Sequence, residues 1–263
     1  MDLGLKDKVA VVLAASAGLG KGVAEVLAEE GCHLALCSRS LERLQPVAQT
    51  LRERTGRDVF TQAADVADGP ALERFMQAAL AHFGRVDILV ANAGGPPPGP
   101  SDAFTEAELQ RAYDLTLLSV MRACRAVVPG MRQNKWGRII MLTSTSIKCA
   151  LENMALSNIF RSAVAGYAKT LALETAAAGI RVNCIMTGQF LTDRMTQLGE
   201  AAAQREKITF AQWRERAEKN TLVGRFGQPR EMGDLVAFLA SARADYLTGA
   251  CIPLDGGALK TIT

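Results

Sequence analysis

Two kinds of hydrophobic pattern alternate along the chain. Short apolar runs rich in β-branched residues are typical of strands buried on both faces, and longer segments with apolar residues at helical spacing are typical of helices that cover a sheet. The predicted strands comprise residues 9–13, 33–37, 86–90, 138–142 and 181–185. The predicted helices comprise residues 20–30, 41–55, 70–83, 105–133 and 158–178. Because strand–helix–strand units connect parallel strands with right-handed crossovers, the pattern predicts an α/β fold with a doubly wound parallel sheet.

Nothing in the pattern divides the chain into separate domains. A length of 263 residues fits one large α/β domain with a sizeable core. The one stretch rich in proline and glycine, residues 94–100, is too short for an interdomain linker and is expected to form a stiff loop after a strand. We therefore predict a single domain over residues 1–263.

Composition and charge exclude several classes of function. Hydrophobic residues make up 49% and charged residues 22%, as in ordinary globular proteins, and a net charge of +3 without a Lys/Arg-rich run gives no reason to expect a nucleic acid partner. No apolar run approaches the ~18 residues of a membrane span, and residues 1–8 lack the core of a signal peptide, so we expect a cytoplasmic protein with no membrane partner. The six cysteines form no Cys-x-x-Cys pair and nearly all lie in apolar stretches, which predicts buried free thiols and no metal site.

The turn after the first strand has the composition of a phosphate-binding loop. Its glycines would let the backbone approach a pyrophosphate, whose charge the N–H groups and dipole of the following helix stabilise. Glycines also serve tight strand–helix packing, but their place directly after the first strand favours nucleotide binding. The alanine methyl at position 14 is expected to require an ordinary backbone conformation, which reshapes the turn without closing the pocket. The residues predicted to contact the cofactor here are Ala14, Ser16, Gly18, Leu19 and Gly20.

The end of the second strand indicates which nucleotide is bound. Sites for NAD(H) place a carboxylate there to bind the ribose 2′-hydroxyl, whereas an arginine suits a 2′-phosphate. Ser38 stands at the position of the carboxylate, and Arg39 follows it. Arg39 can form charge-assisted bonds to a phosphate, although a solvated arginine at a helix start is also common. Together with the phosphate turn, these residues predict NADP(H) in preference to NAD(H).

Motifs along essentially the whole chain resemble, in the same order, those of the short-chain dehydrogenase/reductase family. The turn corresponds to the family's T-G-x-x-x-G-x-G, with Leu13 and Ala14 in place of the leading Thr-Gly, and residues 179–183 match its G-I-R-V-N strand. Residues 224–229 and 247–257 also match, while Thr187 replaces a usual proline. The further cofactor-binding positions that the resemblance implies are Asp65 and Val66 at the adenine, Asn92, Ala93 and Gly94 at the sheet edge beneath the cofactor, and Gly188 and Thr192, the threonine at the nicotinamide carboxamide.

The resemblance also implies the architecture and the kind of reaction. It implies a Rossmann-type sheet of about seven strands in the order 3-2-1-4-5-6-7, with a helical lid over a small-molecule substrate at about residues 190–221. It further implies hydride transfer between a nicotinamide cofactor and a carbonyl or alcohol. Family members are usually tetramers, so we expect a homotetramer or homodimer formed through the helices at 105–133 and 158–178. The small residues that suit close packing there, or burial inside one subunit, are Ala163, Ala165, Ala168 and Ala172.

The catalytic positions depart from the family's pattern. The family protonates the forming alkoxide with a tyrosine whose pKa a lysine lowers, holds the carbonyl with a serine, and positions a water relay with an asparagine. Counted from the flanking motifs, these four positions are Ser157, Arg161, Ser144 and Thr116 in that order. Ser157 is too weak an acid and too short to replace a phenol. Arg161, one helical turn further on, can bond the nicotinamide ribose and supply positive charge but cannot relay a proton, and Ser144 can still hold an oxyanion.

Other groups are candidates for the missing proton donor. Lys148 lies in the loop that borders the substrate in this family, and desolvation beside Arg161 would bring its pKa toward a useful range. Tyr113 and Glu152 lie in neighbouring segments. Each of the three is also explained as an ordinary solvated residue. The residues expected to lie away from the site are Tyr167, His33 and His82.

Three functions are compatible with these patterns. The leading hypothesis is an NADP(H)-dependent oxidoreductase that uses Lys148, Ser144 or bound water in place of the tyrosine. The second is a non-redox enzyme, because relatives that eliminate halide from halohydrins also carry an arginine at the position of Arg161. Those relatives keep the tyrosine and have lost nucleotide binding, whereas this chain keeps its glycines, Arg39 and Asp65. The third is a catalytically silent nucleotide-binding module.

Overall fold

The computed structural model describes residues 2–261, so that residues 1, 262 and 263 of the predicted domain lie outside it. Within the described residues the strands form a seven-stranded parallel sheet of order β3-β2-β1-β4-β5-β6-β7, which confirms the predicted fold. The strands are β1 (Val9–Val12), β2 (His33–Ser38), β3 (Val59–Ala63), β4 (Ile88–Ala91), β5 (Gly137–Leu142), β6 (Ile180–Thr187) and β7 (Cys251–Leu254).

The apolar pattern predicted the five inner strands but not the two edge strands, β3 and β7. An edge strand is less completely buried, so its sequence need not be a continuous apolar run. In β3 the middle residues are only partly buried. The strand β7 contains Pro253, a residue tolerated at sheet edges because it has no backbone N–H to donate.

Helices cover both faces of the sheet. They are α1 (Gly18–Glu29), α2 (Leu41–Thr55), α3 (Gly69–Phe83), α4 (Glu106–Tyr113), α5 (Ser119–Gln133), α6 (Ala155–Thr175), α7 (Asp193–Glu206), α8 (Phe210–Lys219) and α9 (Pro229–Ala240). The single helix predicted at 105–133 is interrupted by a π-helical stretch, Asp114–Leu118. Such stretches are frequent at functional sites.

The core consists of two layers of side chains, one on each side of the sheet. In β1, Ala10 and Val12 face the layer formed with α1, α2 and α9, while Val11 faces the layer formed with α3, α5 and α6. Alternate residues of a strand point to opposite faces, which explains why these strands are apolar at every position.

Close packing of α1 against α9 accounts for one of the glycines near the phosphate turn. A Cβ at Gly22 would lie 2.4 Å from the carbonyl oxygen of Pro229, and a Cβ at Gly233 would lie 2.6 Å from the carbonyl oxygen of Gly22. Real Cβ atoms are not found this close to backbone oxygens, so both positions require glycine. Gly22 therefore serves helix packing.

The cysteines of residues 2–261 are all free thiols. Cys32, Cys37, Cys124 and Cys184 are buried, as expected, and Cys251 is partly buried. Cys149 departs from the expectation because it lies in the exposed loop after β5. No helix among the described residues is long and apolar enough to cross a membrane.

Candidate active site

A large cleft opens at the carboxyl ends of the parallel strands, where doubly wound folds bind their ligands. Its volume is about 1240 Å³, and its lining comes from the loops after β1 to β6 and from the segment that carries α7 and α8. All the residues predicted to bind the cofactor line this cleft except Gly20. The sequence motifs, which are scattered along the chain, therefore meet at one place.

The turn after β1 presents the amino end of α1 to the cleft. Its N-cap residue, Ala17, supplies no side-chain hydrogen bond, so the first N–H groups of the helix are available to a ligand. Gly18 has a φ of +55°, and Ser16 and Leu19 line the cleft beside it. Gly20 lies behind the turn, where a Cβ would stand 2.3 Å from the carbonyl oxygen of Ala14.

Ala14 does not have the ordinary backbone conformation that its methyl group led us to expect. Its φ is +52°, in the left-handed region, which costs an alanine about 1 kcal/mol or more. The conformation is imposed by neighbours on both sides. The Ala15 N–H donates to the carbonyl oxygen of Cys37 at 2.9 Å, and Asn92 Nδ2 donates to the carbonyl oxygens of Leu13 at 3.2 Å and Ala14 at 3.5 Å. Asn92 thus ties the end of β4 to the turn.

Basic side chains surround the end of β2. Ser38 is buried and its hydroxyl donates to the carbonyl oxygen of Ser40 at 2.7 Å, so it holds the loop in place. Arg39 is exposed, lines the cleft and has no ion-pair partner among residues 2–261. Arg43, in the first turn of α2, also lines the cleft and lies 3.7 Å from Asp193. Arg43 was not predicted, although its spacing of four residues from Arg39 across a helix start was a usable signal.

Asp65, after β3, is held as a carboxylate. It accepts hydrogen bonds from the Ala67 N–H at 3.0 Å and from Arg111 Nη2 at 2.7 Å. Burial by itself would raise the pKa of Asp65, but these two bonds and the charge of Arg39 lower it below its usual value. Val66 lines the cleft beside it. Arg111 comes from α4 and was not predicted, because nothing local in the sequence links it to Asp65.

The other end of the cleft holds three of the predicted catalytic positions. Ser144 precedes a short 3₁₀ turn, and its Oγ accepts a hydrogen bond from the Ser146 N–H at 3.1 Å. Ser157 on α6 is only 3% exposed and lines the cleft, and its hydroxyl makes no hydrogen bond within residues 2–261. Arg161 lies one turn further along α6, where its Nη1 donates to the carbonyl oxygen of Leu142 at 3.0 Å.

Arg161 has no carboxylate partner among the described residues. Burial, and then the nearby charge of Arg194, lower the pKa of Arg161 to about 10. The guanidinium therefore remains charged at neutral pH, and it supplies a fixed positive charge rather than a titrating group.

Lys148 and Thr116 lie outside the lining of the cleft. Lys148 is exposed at the end of the 3₁₀ turn, on the side of Cys251. A hydrogen bond from Cys184, and then the charges of Lys148 and Lys169, lower the pKa of the Cys251 thiol below its usual value against the effect of burial. Thr116 is buried in the π-helical stretch, and its Oγ1 has no hydrogen-bond partner.

Some of the other titratable candidates line the cleft, and the others lie outside it. Glu152 lines the cleft, whereas Tyr113 is absent from its lining and packs against Phe160 with 6.1 Å between ring centroids. Tyr167 is partly buried beside Cys124 and, as predicted, lies away from the cleft; burial raises the pKa of its hydroxyl. The two histidines, His33 and His82, both hydrogen-bond to Asp58 at the amino ends of the strands.

The segment at 190–221 lies against the cleft. Thr192 caps α7 by accepting from the Met195 N–H at 3.2 Å, and its Cγ2 would lie 3.3 Å from a Cβ at Gly18. Arg194, in the first turn of α7, extends to the opposite wall, where Nη2 donates to the carbonyl oxygen of Pro96 at 2.7 Å. Residues 190–221 therefore touch both the phosphate turn and the loop after β4.

Comparison with known proteins agrees with this geometry. The family described as enoyl-(acyl carrier protein) reductase matches residues 13–258. The chain is 31% identical over 255 residues to dehydrogenase/reductase SDR family member 4 of Oryctolagus cuniculus, covering 97% of this chain and 94% of that one. It is 32% identical over 255 residues to 3-oxoacyl-[acyl-carrier-protein] reductase FabG of Vibrio cholerae, covering 97% and 98%.

Solved structures show the same likeness. The crystal structure of L-sorbose reductase from Gluconobacter frateurii, complexed with NADPH and L-sorbose, superposes with a TM-score of 0.94 at 32% identity, and the match covers 100% of both chains. The sheet order, the cleft and these similarities lead to one conclusion. The chain belongs to the short-chain dehydrogenase/reductase family of oxidoreductases.

Proposed function

We propose that the protein is an NADP(H)-dependent oxidoreductase that transfers hydride between the nicotinamide and a carbonyl or alcohol substrate, with a proton donor other than a phenol. The observation that carries this proposal is the continuity of one cleft. It runs from Arg39, past the amino end of α1, to Ser144 and Ser157. A nucleotide laid along it would bring its reactive end to the two serines.

The residues of the cleft fit NADP(H). The uncapped amino end of α1 suits a pyrophosphate, and Arg39 and Arg43 suit a 2′-phosphate beside a strand end that carries no carboxylate. Similar structures also include NADPH complexes. When bound, the cofactor supplies or accepts the hydride; positioning and proton transfer are left to the chain's own side chains.

The geometry supports bound water as the proton donor. Ser144 Oγ accepts a hydrogen bond from the Ser146 N–H, so its hydroxyl proton is free to be donated to a carbonyl oxygen of the substrate. Ser157 has an unused hydroxyl facing the cleft, and a serine side chain stops several ångströms short of where a phenol would end. We assign to Ser157 the role of holding a water that protonates the alkoxide, while the charge of Arg161 stabilises that alkoxide. Lys148 is less suited, because it is exposed outside the cleft.

Steady-state assays with NADPH across ketones and β-ketoacyl thioesters test this function. We expect Ser144→Ala to lower kcat/KM by about 100-fold or more, as the loss of a group that stabilises an oxyanion does. Lys148→Ala is the matched control and should leave kcat/KM within about twofold of the unaltered enzyme. Binding of NADPH without turnover of any carbonyl would favour the silent module, and failure to bind NADPH would favour the non-redox enzyme.

We also propose self-association through α6 and its neighbours, as a homotetramer or homodimer. Ala168 and Ala172 belong to the core of the subunit, so they are not available to a partner. Exposed apolar residues on the same helix support the proposal instead: Ile159 is 52% exposed and Leu173 is 77% exposed. Light scattering in solution tests it, with Leu173→Glu expected to lower the oligomeric mass and a monomeric unaltered protein contradicting it.

A further inference from the structure

Two partly buried arginines of the cleft, Arg161 and Arg194, lack an acidic partner among residues 2–261. Arg161 makes one hydrogen bond to the carbonyl oxygen of Leu142, and Arg194 makes one to the carbonyl oxygen of Pro96. Neither forms an ion pair within residues 2–261, and both line the cleft near Ser157. A guanidinium has five N–H donors, so each has donors left for a ligand.

Their placement is electrostatically unfavourable in the protein alone. Burial lowers the pKa of Arg194, and burial together with the charge of Arg194 lowers the pKa of Arg161 to about 10. In addition, Arg194 lies in the first turn of α7, where the helix dipole favours negative rather than positive charge. Placing two partly desolvated cations near each other costs free energy, which other contacts must offset. An anion bound between the two arginines would remove that cost.

The carboxylates that line the cleft are not available to neutralise this pair. Asp65 is bonded to Arg111, and Asp193 is directed toward Arg43. Glu152 is exposed in the loop before α6 and lies within ion-pair distance of neither arginine. No carboxylate that lines the cleft therefore pairs with either arginine, and an anionic ligand would supply the opposite charge.

We propose that the substrate carries a carboxylate, and that Arg161 and Arg194 bind it next to the carbonyl or alcohol held by Ser144. The proposal rests on the function proposed above, because it concerns the substrate of the same site. Planar guanidinium groups bind carboxylates through paired N–H···O bonds, which suits a site shared by two arginines. The remaining lining near α7 and α8 is apolar and includes Phe190, Leu198 and Trp213. The substrate class is an oxo or hydroxy acid with an apolar body.

Calorimetric titration of the NADP⁺-saturated protein tests the proposal. The probes are small carboxylic acids and their matched amides, such as phenylacetate and phenylacetamide, which differ in charge but little in shape. We expect at least one acid of the panel to bind at least tenfold more tightly than its amide. Arg194→Gln should abolish that preference and Arg194→Lys should retain part of it. Arg132→Gln is the matched control, because Arg132 is also a helical arginine with one bond to a carbonyl oxygen but lies on the exposed side of α5.

Parallel titration with NADP⁺ separates this inference from the proposed function. Arg194→Gln could weaken the binding of NADP⁺ at least as much as the binding of the acids. In that case Arg194 binds the cofactor phosphates, and the inference is overturned while the proposed function stands. If no acid binds more tightly than its amide, the inference is likewise overturned. If the unaltered protein fails to bind NADP⁺, the proposed function is contradicted, and a preference for acids that depends on Arg194 would still support the carboxylate site.

Discussion

Arg161 Nη1 donates a hydrogen bond to the carbonyl oxygen of Leu142 at 3.0 Å, which ties the charged end of this side chain to the carboxyl end of β5. The contact crosses from α6 to the central sheet, so the position of the guanidinium depends on the backbone of a rigid strand. Ser157 lies one turn earlier on the same helix and also lines the cleft. From the sequence motifs we expect this pair to stand at the positions of the family's tyrosine and lysine, without their proton-donating chemistry.

Restoring that chemistry should increase carbonyl reduction. We expect Ser157→Tyr combined with Arg161→Lys to raise kcat for ketone reduction with NADPH by about 100-fold or more, the usual contribution of a positioned general acid. Space exists because Ser157 faces an open cleft. The measurement is NADPH oxidation under steady-state conditions. Ser162→Tyr, which places a phenol on the exposed face of the same helix, is the control. An unchanged kcat in a double variant that still binds NADPH would contradict the prediction.

Removing the charge of Arg161 should stabilise the protein without ligands. The pKa of Arg161 in the folded protein, about 10, is below its usual value of 12.5 because burial disfavours the charged form. The folded protein therefore loses this proton more readily than the unfolded chain, and the charge lowers the free energy of unfolding at every pH below about 10. We expect Arg161→Met to raise the free energy of unfolding by about 1–3 kcal/mol.

Urea denaturation at pH 6 to 9 checks the stability of this variant. The gain should be the same across that range. The cost of the buried charge in the unaltered protein falls only as the pH rises through about 10. Arg132→Met, at an exposed arginine, should change the free energy of unfolding by less than about 0.5 kcal/mol. A variant that is less stable than the unaltered protein would show that the bond to Leu142 outweighs the cost of the buried charge.

The backbone at Ala14 offers a second test of stability. Its positive φ costs an alanine about 1–2 kcal/mol, while the greater freedom of glycine in the unfolded chain costs about 0.4–1 kcal/mol. We expect Ala14→Gly to raise the free energy of unfolding by about 0.5–1 kcal/mol, measured by urea denaturation. Ala163→Gly, in an exposed helical position of α6, should lower it by about 1 kcal/mol. Loss of stability in Ala14→Gly would contradict the assigned strain.

Arg39 should decide between the two nicotinamide cofactors. Because bonds to charged groups contribute about 1.5–3 kcal/mol, we expect Arg39→Ala to weaken NADPH binding by about 10- to 100-fold and to leave NADH binding nearly unchanged. Fluorescence titration with both cofactors is the measurement. Arg54→Ala, at the far end of α2, should affect neither. Equal weakening of NADPH binding and NADH binding would mean that Arg39 does not contact a 2′-phosphate.

The strands of the inner sheet were predictable because burial on both faces leaves continuous apolar runs in the sequence, as in β1 and β5. The edge strands β3 and β7 were not, because one side of each lacks a neighbouring strand. Most of the candidate cofactor residues were predictable as a set, since they follow strands whose ends meet at the same edge of the sheet; Arg161, on α6, is the exception. Arg111 was missed because only the folded chain brings it to that edge, whereas the spacing of Arg43 from Arg39 offered a signal that was not used.

The amino-acid pattern alone predicted the alternation of strands and helices and the order of the motifs, and these motifs led us to expect Ser157 and Arg161 at the positions of the family's tyrosine and lysine. These are properties of neighbouring residues, and they need no knowledge of distant contacts. Three features became visible only in the folded chain: Ala14 is left-handed, Lys148 lies outside the cleft, and Arg194 reaches Pro96 from 98 positions away. Each depends on backbone atoms from other strands and loops, whose positions are set by the packing of the whole sheet.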